Sequence, residues 1–100
     1  MYRQGDVLLI PVSILPVGTV QVEKGDVIIL AFGEATGHRH VITDTTTMVF
    51  RGPTGDVFID VTEHTEVSHQ EHTAIALPPG KYRVIRQREY TPEAIRNVAD

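Results

Sequence analysis

The residues of this chain best suited to chemistry are its histidines, and they fall in two groups. The first is Gly37-His38-Arg39-His40-Val41. The second is His64-Thr65-Glu66-Val67-Ser68-His69-Gln70-Glu71-His72, which holds three of the five histidines and two glutamates. On a β-strand alternate side chains share a face, so His38 and His40 are expected to project together while Arg39 and Val41 point away. Two imidazoles displayed in this way suit a divalent metal such as zinc, nickel or iron, with its other ligands drawn from elsewhere in the fold. His69 and His72 flank an expected hairpin turn between two strand-like segments, which would set them side by side. The expectation is one divalent-metal site formed by His38, His40, His69 and His72. In it Glu71 is a ligand or a general base toward bound water, whose pKa such a metal lowers to about 7. The reaction class is then hydrolytic or lyase-like. An HxH pair arises often by chance, and the opposing reading is a set of exposed histidines with no joint task.

Positive charge gathers late in the chain, at Lys81, Arg83, Arg86 and Arg88. Alternation puts Tyr82, Val84, Arg86 and Arg88 on one face and Lys81, Arg83, Ile85 and Gln87 on the other, so the arginines form no single stripe. Surface pairing with carboxylates accounts for most such residues. The sharper expectation makes Arg83 catalytic, its guanidinium gripping a phosphate or carboxylate beside the histidines. Without a metal, His38 or His69 would act as general base and a second histidine as general acid on a phosphodiester. The partner expected at the site is a small-molecule or phosphorylated substrate.

These groups need a frame, and the sequence reads as β throughout its first nine-tenths. Gly5-Asp6, Gly25-Asp26 and Gly55-Asp56 each precede an apolar, β-branched run of strand length, a turn followed by a strand. Further strands are expected at His38 to Thr43, Thr46 to Phe50, Thr65 to His69, Thr73 to Leu77 and Lys81 to Glu89, punctuated by Pro53 and Pro78-Pro79-Gly80. Short strands at this spacing predict one all-β domain over 1–100, a small barrel or barrel-like sandwich of about seven to eight strands. Phe50, Phe58 and Tyr82 are expected in its core. Thr91 as N-cap, Pro92 at the first helical position and Glu93 in the first turn predict a short C-terminal helix over 91–100.

The 100-residue chain has no cysteine, so disulfides, zinc-thiolate sites and thiol nucleophiles are excluded and any metal is held by nitrogen or oxygen. A net charge of −4 argues against general nucleic-acid binding, which draws on clustered Lys and Arg. The first apolar run, Val7 to Ile10, stops at Pro11, too short for a signal core or a membrane span. A cytoplasmic protein with no membrane partner is expected. No phosphate-binding glycine loop, nucleophile elbow or dinucleotide fingerprint is present. The competing class is a non-enzymatic partner-binding or oligomerisation module, and a homo-oligomer fits either class.

The order Arg3-Gln4-Gly5-Asp6-Val7-Leu8, Gly37-His38-Arg39-His40, His69-Gln70-Glu71-His72, Leu77-Pro78-Pro79-Gly80-Lys81-Tyr82 and Gln87-Arg88-Glu89-Tyr90 resembles small bacterial β proteins without a settled activity. That resemblance implies a grouping of these positions and no function. A more distant resemblance is to the cupins, small β-barrels with an HxH pair and a nearby carboxylate in one motif and a PxG turn before a third histidine in the next. His38, His40, Asp44 and Pro78-x-Gly80 follow that order. Asp44 stands where a glutamate is usual, and Arg83 stands where the third metal histidine is expected. The resemblance therefore implies a site that His69 or His72 would have to complete.

Overall fold

The computed structural model describes residues 1–25, 27–32 and 38–86. Among them there are ten strands and no helix: β1 Tyr2–Gln4, β2 Val7–Val12, β3 Val20–Val22, β4 Ile28–Phe32, β5 Arg39–Ile42, β6 Met48–Arg51, β7 Val57–Val61, β8 Thr65–Val67, β9 Ile75–Leu77 and β10 Gly80–Arg86. Every pairing is antiparallel. Six strands form one sheet in the order β1-β2-β10-β7-β6-β3, while β4-β5 and β8-β9 are separate hairpins. The hairpins meet through one bridge, in which Val41 and Ser68 exchange both backbone hydrogen bonds.

The all-β expectation holds; closure into a barrel does not. Among the described residues the sheets stay open, and there are ten strands where seven to eight were expected. The two short strands Tyr2–Gln4 and Val20–Val22 carry too few alternations to stand out in sequence. The predicted C-terminal helix over 91–100 lies outside the described residues. No helix of the described residues is long and apolar enough to cross a membrane.

One core joins the large sheet to both hairpins. Val7, Leu9, Ile59, Val61 and Tyr82 come from the six-stranded sheet, and Ile28, Ala31, Ile42, Val67 and Leu77 from the hairpins. Alternation explains the choice on β2 and β7, where Val7 and Leu9, and Ile59 and Val61, lie two apart and face inward together, while on β4 an irregularity between Ile29 and Ala31 brings Ala31 to the face of Ile28. Fully burying a side chain of this size contributes roughly 1.5–3 kcal/mol, so this cluster holds the layers together. Tyr82 lies in it as expected and donates its hydroxyl to the Pro78 carbonyl at 2.6 Å. Phe58 is buried on the opposite face of β7, whereas Phe50 is only half-buried.

Two turns bring the polar groups into position. Gly5 and Asp6 form a two-residue loop between β1 and β2, with Gln4 opposite Val7. Gly5 has φ +58° and no other residue type of the described chain has positive φ, which matches a hairpin turn with glycine at its first central position. The second turn is organised by Asp44. Its Oδ1 accepts the amides of Thr46 and Thr47 at 2.8 and 2.7 Å, and its Oδ2 accepts the Thr47 hydroxyl at 2.8 Å and the Thr65 hydroxyl. This carboxylate thereby ties the β5–β6 connection to β8. Burial opposes ionisation of Asp44, but the Thr65 and Thr47 hydroxyls and the two amides outweigh it and hold the carboxyl well below its ordinary value.

Candidate functional site

The two histidine groups, thirty residues apart in sequence, meet in space. Ring centroids are separated by 4.4 Å for His40 and His69, 4.6 Å for His69 and His72, 5.6 Å for His38 and His69, and 6.0 Å for His40 and His72. The antiparallel hairpin β8–β9 carries His69 and His72 on its connecting loop, and the Val41–Ser68 bridge lays the start of that loop against β5. His64 is exposed ahead of β8 and is apart from this group.

His40 is the anchor. It is buried, at 4% exposure, and its Nδ1 lies 2.8 Å from Gln4 Oε1. The direction of that bond follows from Gln4, whose side-chain nitrogen donates to the carbonyls of Val67 and Thr73, both at 3.0 Å. With both carbonyls on the nitrogen, the Gln4 oxygen is the group facing His40. His40 therefore donates through Nδ1–H, and in the neutral ring Nε2 carries the free lone pair. Burial, followed by the nearby His69, lowers the His40 pKa from 6.5 to about 4, with Asp6 pulling the other way. At neutral pH the ring is thus an uncharged base with its tautomer set by a buried amide, the arrangement that orients metal-ligating histidines.

His40 Nε2 faces Asp6 Oδ1 at 3.6 Å. The other Asp6 oxygen is held by Arg86, with Nη2 at 2.9 Å and Nε at 3.3 Å. Burial opposes ionisation of Asp6, but the hydrogen bond and charge of Arg86 prevail and lower its pKa. A lone pair and a carboxylate oxygen face each other at a separation close to the roughly 3.4 Å between neighbouring ligand atoms around a tetrahedral zinc with bonds of about 2.0–2.1 Å.

His72 closes over the same turn. A Cβ placed on Gly5 would fall 2.7 Å from His72 Nε2 and 3.4 Å from His40 Cε1, so the exposed His72 ring could not keep this position over any other residue. His69 is engaged differently. Its Nδ1 accepts the amides of Glu71 and His72 at 3.0 and 3.2 Å, which puts the proton of its neutral ring on Nε2. Partial burial, with His72 and His38 adding to it, lowers its pKa. His38 Nδ1 lies 3.3 Å from Glu71 Oε1, with Glu71 66% exposed at the rim. Among the described residues no three histidine or carboxylate groups stand at coordinating geometry about one point.

Each expected site residue can now be placed. His38, His40, His69, His72 and Glu71 are together. Arg83 is elsewhere: its Nη2 pairs with Asp56 Oδ1 at 3.2 Å, on the face of β10 opposite Arg86. The arginine that reaches the histidines is Arg86, the other parity of the same strand. Asp44, the carboxylate in the cupin-like order, is taken up by Thr46, Thr47 and Thr65, and Asp6 joins Glu71 as a carboxylate at the cluster. Gln4, Asp6 and Arg86 were missed as site residues because their contacts span 34 to 80 residues. The one local signal was the Gly5-Asp6 turn.

Fold and site together define an antiparallel β protein with a histidine cluster where the β1–β2 turn meets the β8–β9 hairpin. The chain belongs to the family described as a domain of unknown function (DUF8820), whose model matches residues 3–87. Every residue of the cluster and its supports lies within that match. No curated protein and no solved structure matches the chain.

Proposed function

We propose that this protein binds one divalent transition metal, zinc, nickel or iron, at the histidine cluster. His40 Nε2, His72 Nε2 and Asp6 Oδ1 are its principal donors, and His69 or His38 completes the set. The observation that carries this reading is the meeting of His40 with His69 and His72 around the Gly5 turn, with His40 already fixed in the tautomer a ligand needs. Gln4 and Arg86 then act as orienting partners, one behind the histidine and one behind the carboxylate. Ligation by His69 Nε2 requires its Nδ1 to give up the two loop amides, a rearrangement confined to a largely exposed loop. Where only three of these side chains bind, a tetrahedral metal would leave its fourth position to water. That suits hydrolytic or lyase-like chemistry with Glu71 as base at the rim.

The tautomers favour one second reading. His40 offers a lone pair and His69 an N–H within one cluster, the complementary pair that metal-free acid–base chemistry on a phosphodiester requires.

Elemental analysis of protein purified without a tag or added metal, joined to thermal melting with and without chelator, separates the two. About one equivalent of metal, lost together with stability, supports the metal centre. No metal and no chelator effect overturns it. A cycle of His40→Ala, His72→Ala and the double variant tests the shared site, since residues holding one ion lose affinity non-additively.

A further inference from the structure

We propose that the hollow beside His69 is the subsite for a small aliphatic carboxylate, with Arg39 as its anchor. The proposal rests on the metal centre for the reaction that would follow, though the binding step does not depend on it. The hollow measures about 250 Å³ and is lined by Arg39, Val41, Ser68, His69 and Gln70. Arg39 and Val41 share one face of β5 while His40 takes the other, so the hollow and the buried side of the cluster lie across one strand. His69 borders both: its ring stands 4.4 Å from that of His40, and the residue also lines the hollow.

Chemistry selects the occupant. Among the described residues Arg83 and Arg86 are each held by an aspartate, whereas the Arg39 guanidinium has no ion pair or hydrogen bond of its own. Only its backbone amide is engaged, donating to Gln70 Oε1 at 2.9 Å and so holding Gln70 at the edge. A planar guanidinium without a partner matches a carboxylate through two parallel hydrogen bonds. One cation, and not a cluster of them, favours a monoanion over a phosphate dianion. The Val41 wall favours a short apolar body. At about 250 Å³ the hollow falls below the roughly 300–1,000 Å³ of pockets for larger ligands, which fits a body of a few carbons. A carboxylate seated on Arg39 would extend its body toward His69 and the metal centre.

The test uses the full chain, ¹⁵N-labelled and stripped with chelator, titrated separately with isobutyrate, its neutral isostere isobutyramide, and inorganic phosphate. Isobutyrate is expected to give saturable amide shifts at Arg39, Ser68 and Gln70. Arg39→Gln should weaken that binding about tenfold or more without changing Tm, because a charge-assisted fork is lost from a half-buried side chain that holds no other group among the described residues. Arg39→Lys should fall between the two. Equal binding of isobutyramide, tighter binding of phosphate at the same amides, unchanged affinity in Arg39→Gln, or no saturable shift overturns the proposal. Zinc added afterwards reports separately. Carboxylate shifts that persist where zinc leaves the histidine signals unmoved would overturn the metal centre and leave the subsite standing.

Discussion

Gln4 and His40 are locked together 2.8 Å apart, and the amide of Gln4 decides which nitrogen of His40 is free. One side chain on the first strand thereby sets the state of a ring 36 residues later while fastening β1 to the β8–β9 hairpin through Val67 and Thr73. Imidazole ¹⁵N shifts at neutral pH should report the Nδ1–H tautomer for His40. The Nε2–H form would disprove the assigned bond direction.

Gln4→Leu keeps the bulk of the side chain and removes its three bonds, leaving the Val67 carbonyl and His40 Nδ1–H without those partners in a buried place and the Thr73 carbonyl without its partner nearer the surface. The expected loss is roughly 2–5 kcal/mol, since each orphaned buried group costs about 1–3 kcal/mol. Urea unfolding measures it. A loss under about 1 kcal/mol would mean that water replaces Gln4.

Gly5→Ala tests the approach of the rings. The added methyl would meet His72 Nε2, and φ +58° is unfavourable for any residue with a Cβ. Destabilisation by about 1–3 kcal/mol is expected, together with displacement of the His72 resonances. A variant as stable as the parent with His72 unmoved would show that the hairpin loop does not rest on the turn.

Metal binding should be visible as stability. Zinc at about a hundred times its dissociation constant adds about 2.7 kcal/mol to the native state, which for a domain of this size raises Tm by roughly 10–20 °C. Asp6→Asn should reduce zinc affinity at least about tenfold, in line with loss of a ligand or its support. Unchanged zinc affinity in that variant would remove Asp6 from the site.

Asp44 predicts a specific acid sensitivity. Its folded pKa lies below the ordinary 3.8, so the folded protein binds fewer protons than the unfolded chain in that range. The resulting stability is present in full above about pH 4 and drains away as pH falls further. Asp44→Asn should therefore be less stable than the parent at pH 7, by about 2–4 kcal/mol for a carboxylate bonded to two amides and three hydroxyls. The gap between the two should narrow as the solution is acidified below pH 4. A gap independent of pH would mean that the carboxylate's charge is not what matters.

Sequence alone determined the kind of element and the chemistry on offer. Two-residue alternation and Gly-Asp turns marked eight of the strands to within a few residues, because both signals are local and repeat along the chain. Residue type and spacing likewise singled out His38, His40, His69, His72 and Glu71 as a group. Tertiary structure decided how those elements combine. Whether the strands close into a barrel depends on twist and on pairings between distant segments, for which no local pattern exists, and among the described residues the sheet stays open with two hairpins laid on its core. It also decided which charges serve the histidines. Arg83 and Arg86 are indistinguishable in composition, and only the register of β10 against β2, with Arg86 opposite Val7 next to Asp6, sends one to the cluster and the other to Asp56. Gln4 and Asp6 join the site for the same reason: a hydrogen bond depends on distance in space, and 36 residues of chain carry no trace of it.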